Sequence, residues 1–202
     1  MVITAQERMR GSLYRLELDG EPAGTVDKRT FDEAGYRLGG EITQEAWEEL
    51  QERSARNRAK EKALYLLSQR DRPRGELLKK LQPEAGEEIA QETVDRLEEM
   101  GLLDDDALAL RWAGDLSRRK CYPRRRVEQE LTARGFDRDT ARRAAEELET
   151  EDHTLALALL HKKYYNKMTT EDGRRKTAAA LARYGFSSQA VRYALEHWET
   201  ED

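Results

Sequence analysis

The sequence predicts a mainly α protein: three tandem three-helix repeats forming an elongated curved rod, with a small N-terminal β-hairpin or sheet extension. Three observations carry that expectation. First, the chain repeats itself at a spacing of 50 residues: Arg74, Arg124 and Arg174, then Leu77, Val127 and Thr177, then Leu81, Leu131 and Leu181. Second, charged residues make up 38% of the 202 residues and apolar residues another 38%. Such a chain suits an array of small cores better than one deep core, because thin bodies carry more surface per residue. Third, Gly101, Gly135 and Gly185 stand where helices of the repeats would end.

The first forty residues read differently from the rest. Val2-Ile3-Thr4, Leu13–Leu18 and Ala23–Val26 read as short strands, and 13–18 alternates apolar and polar residues with strand period. Arg10-Gly11 and Asp19-Gly20 are turn dipeptides, the second a hairpin signal. A short helical piece follows around Arg29–Gly35, and Gly39-Gly40 ends this unit, expected to span 1–42. Thr43 caps a long lead-in helix, with Glu45 in its first turn, that runs past Trp47, Leu50, Leu64 and Leu67. Pro73 stops it, because proline disfavours helix at the residue before it. Residues 43–103 therefore hold this helix and the first repeat, whose Gln82–Gly86 stretch is the least regular.

The second repeat is expected over 104–152 and the third over 153–202. Asp104-Asp105 and Asp152 read as N-caps of their first helices. Gly135-Phe136 returns as Gly185-Phe186. Ala141, Ala144, Ala145 and Leu148 define an apolar helix face, matched by Val191, Ala194, Leu195 and Trp198. The tetrad Glu149-Thr150-Glu151-Asp152 returns as Glu199-Thr200-Glu201-Asp202.

Catalytic chemistry finds little to work with. His153, His161 and His197 lack a metal-binding partner at i+3 or i+4, and no phosphate loop, dinucleotide fingerprint or nucleophile elbow occurs. Asp104-Asp105-Asp106 reads as helix capping rather than a metal cluster, and Cys121, the single cysteine, fits a reducing compartment. No catalytic residue, metal site or cofactor is expected. The opening residues lack a signal-peptide apolar run, and no stretch approaches the ~18 apolar residues of a membrane span, so a cytoplasmic protein is expected.

The unusual feature is basic. Arg118, Arg119, Lys120, Arg124, Arg125 and Arg126 put six cations in nine residues. The third repeat adds Lys162, Lys163 and Lys167, then Arg174, Arg175 and Lys176. Both triplets, 124–126 and 174–176, are expected at the start of a middle helix, where cations oppose the helix dipole at about 0.3–1 kcal/mol each. These twelve residues are the candidate partner-binding set, meeting phosphates or an acidic protein surface. The alternative is a solvated face paired with nearby acids such as Glu128 and Glu130. Tyr122, Tyr164 and Tyr165 lie among the cations and read either as stacking platforms for bases or as packing; Trp47, Trp112 and Trp198 read as core.

Several segments resemble the RecX family of recombination regulators. Arg70–Leu81 resembles the family's first-repeat pattern, Gly101-Leu102-Leu103-Asp104-Asp105 its entry to the second repeat, Glu130–Phe136 its Glu-Leu-x-x-Lys-Gly-apolar step, and Leu181–Phe186 the third-repeat counterpart. Ile3-Thr4, the Leu18-Asp19-Gly20 turn and Leu38-Gly39-Gly40 resemble the extension of many members. Pro73 departs from the usual capping serine, Cys121 and Pro123 from glycines, and Tyr184 from an arginine or similar residue. The resemblance implies three tandem three-helix repeats. It implies binding to RecA filaments on single-stranded DNA and inhibition of ATPase, strand exchange and co-protease activity by blocking or disassembling the filament. Such a regulator is expected to be a monomer with no membrane contact, and DNA binding by the chain alone is either weak or, as the alternative reading, its main activity.

Overall fold

The computed structural model describes residues 1–199, so the last three residues of the repeated tetrad, Thr200, Glu201 and Asp202, lie outside the described residues. The described chain divides into two compact units, Met1–Arg72 with Leu77–Leu103, and Pro73–Glu76 with the described residues from Asp104 onward.

In the first unit, β1 (Ile3–Arg8), β2 (Leu13–Leu18) and β3 (Glu21–Asp27) form an antiparallel sheet in the order β1-β2-β3. β1 runs four residues beyond the expected Thr4, pairing as far as Arg8 with Tyr14. Asp19 and Gly20 both have positive φ, 52° and 86°, and Leu18 pairs with Glu21 across them, the two-residue turn that matches strand twist. Leu16 and Leu18 are buried, while Glu17 between them is half-buried and Arg15 before them exposed, which is the alternation read from the sequence. α1 (Lys28–Glu33) starts on Asp27, whose Oδ1 accepts from the Thr30 N–H. α2 (Gln44–Gln69) starts on Thr43, whose hydroxyl accepts from the Ala46 N–H at 3.1 Å.

One helix serves two cores. The first half of α2 gives Trp47 and Leu50 to a cluster with Ile3, Leu16, Leu18, Val26, Phe31 and Ile42. The second half gives Ala63 to a cluster with residues from α3 (Arg74–Ala85) and α4 (Glu87–Glu99): Leu77, Leu81, Ala90, Val94 and Leu97. So small a sheet needs a partner for its apolar face of Ile3, Leu16, Leu18 and Val26, and the helix it shares with the first repeat covers that face. α3 passes through Pro83 and ends two residues later, so only the last turn loses a hydrogen bond to the proline.

The second unit holds α5 (Asp105–Lys120), α6 (Arg124–Ala133) and α7 (Arg138–Glu146), then α8 (Asp152–Tyr164), α9 (Glu171–Tyr184) and α10 (Ser188–Glu196). The 50-residue period is physical. Val127 and Thr177, and Leu131 and Leu181, are fully buried pairs at equivalent places, and Phe136 and Phe186 are buried after each middle helix. Ala141, Ala144 and Ala145 of α7 are in one core, and Val191 and Ala194 of α10 are in the next. Trp47 is core as expected, whereas Trp112 and Trp198 are half-buried against the edges of their clusters.

Two local expectations are corrected. Asp104 caps α5 through Ala107, but α8 is preceded by Glu151 without a side-chain cap, and Asp152 is its first helical residue. The Asp152 carboxylate instead accepts from the Arg124 N–H at 3.1 Å, capping α6 of the preceding repeat. Asp105 does the same one repeat earlier, accepting the Arg74 N–H at 2.9 Å. Each of these acids satisfies a donor that would otherwise be orphaned at a helix start. The second correction concerns α9, which begins three residues before Arg174. The equivalent position to Pro123 is Gly173, where a Cβ would lie 1.8 Å from the Lys167 carbonyl oxygen. Only glycine fits, and its N–H completes the Thr170 cap at 3.1 Å.

The middle helices also meet in series. The Gly75 N–H donates to the Gly135 carbonyl at 3.1 Å, and a Cβ on Gly75 would fall 2.4 Å from that oxygen. One repeat later, a Cβ on Gly185 would stand 3.6 Å from Pro123 and 3.7 Å from Arg126.

Candidate functional site

The basic run splits into three settings. Arg118, Arg119 and Lys120 occupy the last turn of α5, where the helix dipole favours cations. Arg118 and Arg119 both reach Asp115, at 3.5 and 3.6 Å. Arg124, Arg125 and Arg126 form the first turn of α6, which contains no acid. Cys121 makes the corner between the two helices in the left-handed region, φ 53°, a conformation that favours glycine over any residue with a Cβ.

Arg124 is tied down. Its Nη2 donates to the Leu148 carbonyl at 2.6 Å and stands 3.9 Å from Glu151. Arg125 is exposed and makes no hydrogen bond or ion pair among the described residues. Arg126 lies between two tyrosines, its guanidinium 4.8 Å from the Tyr122 ring centre and 5.6 Å from that of Tyr184. Such contacts contribute about 0.5–2 kcal/mol, depending on desolvation. Its Nη2 reaches Glu130 at 3.4 Å, and Arg134 bonds the other Glu130 oxygen at 3.1 Å. The buried Nε of Arg126 has no acceptor. Glu130 therefore screens part of the triplet, while Glu128 makes no ion pair among the described residues.

The third repeat completes this corner. The Lys163 ammonium donates to the Tyr184 hydroxyl at 2.7 Å and lies over its ring at 5.2 Å. That hydrogen bond, with the attraction of the phenol oxygen, raises the Lys163 pKa. Lys120 lies over Tyr122 at 5.6 Å, and the two tyrosine rings are 6.0 Å apart. Lys162 donates to the Arg119 carbonyl at 3.1 Å, satisfying an acceptor in the last turn of α5. The result is a junction between repeats two and three where Lys120, Arg126 and Lys163 converge on two half-buried tyrosines, with Arg119 and Lys162 bonded beside them. Rings with cations around them offer both stacking faces and charge to an anionic partner.

The other candidates lie apart from this junction. Lys167 sits over Tyr164 at 5.5 Å, in the 3-10 turn after α8. Arg174 donates to the Met168 carbonyl at 2.8 Å and stacks on Trp198 at 5.7 Å. Arg175 and Lys176 both bond Asp172, at 3.0 and 2.6 Å, which lowers the pKa of that carboxyl. Since Glu171 and Asp172 occupy the first turn of α9, this triplet lies one turn inside its helix rather than at its start.

Both tyrosines of the junction lie outside the twelve candidates: Tyr122 read as either a stacking platform or packing, and Tyr184 had no reading as a site residue. Its signal was its departure from the basic residue expected before Gly185; at the equivalent place in repeat two stands Arg134. Tyr122 packs against the core of repeat two, with Lys120 and Arg126 over its ring. The histidines serve packing. His153 and His197 flank the Tyr193 ring, and His161 contacts the Trp198 carbonyl at 2.9 Å. No group of three potential ligands for a metal ion occurs among the described residues. No helix among them is long and apolar enough to cross a membrane.

Comparison with known proteins bears on this arrangement. Residues 59–97 match the model of the RecX first three-helix domain. A crystal structure of a regulatory protein RecX superposes with a TM-score of 0.67 at 20% identity, covering 96% of this chain and 98% of that one, which shows the fold. Regulatory protein RecX of Clostridioides difficile is 29% identical over 163 residues, 79% of this chain and 76% of the relative. Regulatory protein RecX of Streptomyces coelicolor is 33% identical over 147 residues, 69% of this chain and 78% of the relative. With that identity over more than two thirds of a curated relative, and with the same helical repeats behind an N-terminal sheet, the chain belongs to the RecX family of regulatory proteins.

Proposed function

We propose that this chain restrains RecA-type recombination filaments by binding the protein–single-stranded DNA filament and blocking or disassembling it. It acts in the cytoplasm as a monomer, with no catalytic chemistry, cofactor or metal of its own. The observation that carries the reading is the junction of Lys120, Tyr122, Arg126, Lys163 and Tyr184, an anion-seeking, ring-bearing surface in a chain that belongs to the RecX family. A RecA filament on DNA offers both acidic protein surface and phosphates. The exposed Arg125, with no side-chain partner among the described residues, extends the same charge. The cations at 162–167 and 174–176 add to it, less so where Asp172 already neutralises Arg175 and Lys176.

The test is the DNA-dependent ATPase rate of RecA from the same organism on single-stranded DNA, titrated with this protein. A fall at substoichiometric protein is expected, because capping or disassembly acts on many RecA subunits per bound molecule. No fall, from protein shown to be folded, would contradict the reading. A second reading, direct nucleic-acid binding without RecA, is favoured by the two tyrosine rings among the cations. It expects a fall only near one-to-one, tracking binding to free DNA and weakening steeply with salt.

A further inference from the structure

Away from the junction, the first unit carries a second basic feature. A groove of about 330 Å³ lies between α2 and α4 and is lined by Arg53, Arg56, Asn57 and Lys60 on one side and Thr93, Arg96, Leu97 and Met100 on the other. Four of its lining residues are basic and two, Glu33 and Glu92, are acidic. Both acids are already spoken for: Glu33 pairs with Arg29 at 2.8 Å, and Glu92 pairs with Arg56 at 2.9 Å. Arg53, Lys60 and Arg96 are exposed and make no hydrogen bond or ion pair among the described residues.

Their placement is costly for the fold alone. Arg53, Arg56 and Lys60 follow the i, i+3, i+7 row of one helix face, so like charges neighbour one another. Lys60 has Arg56 four residues before it and Leu64 four after it, and so has no acid at either spacing. Arg96 faces them from α4. Met100, which also lines the groove, is 55% exposed beside the buried Leu97, an apolar surface next to unspent positive charge. The chain as a whole is acidic, with a net charge of -5, so this local excess runs against its composition.

We infer that the α2–α4 groove docks an acidic peptide segment of a partner protein, its carboxylates on Arg53, Lys60 and Arg96 and an apolar side chain against Met100 and Leu97. A peptide fits better than nucleic acid because no aromatic ring lines the groove to stack a base, while the exposed thioether offers a flexible apolar seat. The site is separate from the junction of repeats two and three, so either can fail without the other.

The test uses the full chain and a fluorescein-labelled synthetic peptide of alternating Glu-Asp pairs and leucines. Fluorescence anisotropy should report binding that weakens with salt and is lost when the acids are replaced by Gln and Asn. R53E/K60E/R96E should abolish binding with an unchanged melting temperature, R53K/R96K should retain it, and Met100→Ala should weaken it by roughly tenfold. Failure of the peptide to bind, equal binding by R53E/K60E/R96E, or a labelled single-stranded oligonucleotide that binds here while the peptide does not, would each overturn the inference.

Discussion

The middle helices of repeats two and three carry basic triplets 50 residues apart, yet their starts are built differently. α6 begins at Arg124 behind Pro123, with no acid in its first turn and with its N–H capped from outside by Asp152. α9 begins at Glu171, caps itself with Thr170, and places Asp172 where it neutralises Arg175 and Lys176. Repeat two borrows its cap from the repeat that follows, whereas α9 carries its own. The borrowed cap frees the first turn of α6 from acids, and that is where the junction's Arg126 stands between its tyrosines. Structural capping and surface charge are thereby separated in repeat two and combined in repeat three.

The largest effect that sharpens this comparison is expected at Gly173. Alanine there would force the backbone of α9 away from the Lys167 carbonyl, and urea denaturation should show a loss of about 3 kcal/mol. A loss below about 1 kcal/mol would mean that the self-capped start tolerates the helix geometry of any residue.

Next comes Asp152→Ala. It leaves the Arg124 N–H without its acceptor, and a loss of about 1–2 kcal/mol is expected by the same measurement. An unchanged midpoint would break the idea that repeat three caps repeat two.

The smallest is Asp137→Ala, which removes the cap of α7 and should cost about 1 kcal/mol at neutral pH. The Asp137 carboxyl is held below its ordinary 3.8, chiefly by the hydrogen bonds from Thr140. A carboxyl with a lowered folded-state pKa stabilises above its unfolded value and loses that stabilisation as pH falls through the folded value. The difference between wild type and variant should therefore be constant from neutral pH to about 5, then shrink below 3.8. A gap that persists at pH 2 would assign the effect to packing instead.

Much of the fold was legible because the period of 50 residues is carried by buried positions. Leu131 and Leu181 are fully buried at equivalent places, and the glycine–phenylalanine steps close both middle helices. Thr43, Asp104 and the Asp19-Gly20 turn act as their residue types predict, because caps and tight turns are local. Asp152 was misread for the opposite reason: its acceptor serves a backbone N–H 28 residues away, and no local rule reports that. The candidate site was half legible. Charge density marked Lys120, Arg126 and Lys163, but their convergence depends on how α8 and α9 lie against α5 and α6, and Tyr184 enters only through that packing. Arg124 looked like a free cation in sequence and is instead a tie to Leu148, so a charge test that leaves the fold intact must spare it.

The central claim is that the junction, rather than the triplet of repeat three, meets the RecA filament. Its most direct test compares K120E/R125E/K163E with R175E/K176E in the RecA ATPase titration, after circular dichroism shows both folded. The account predicts that the first variant raises the half-inhibiting concentration by about tenfold or more, and the second by less than about threefold. Equal effects of the two variants, or an undiminished inhibition by the first, would contradict it.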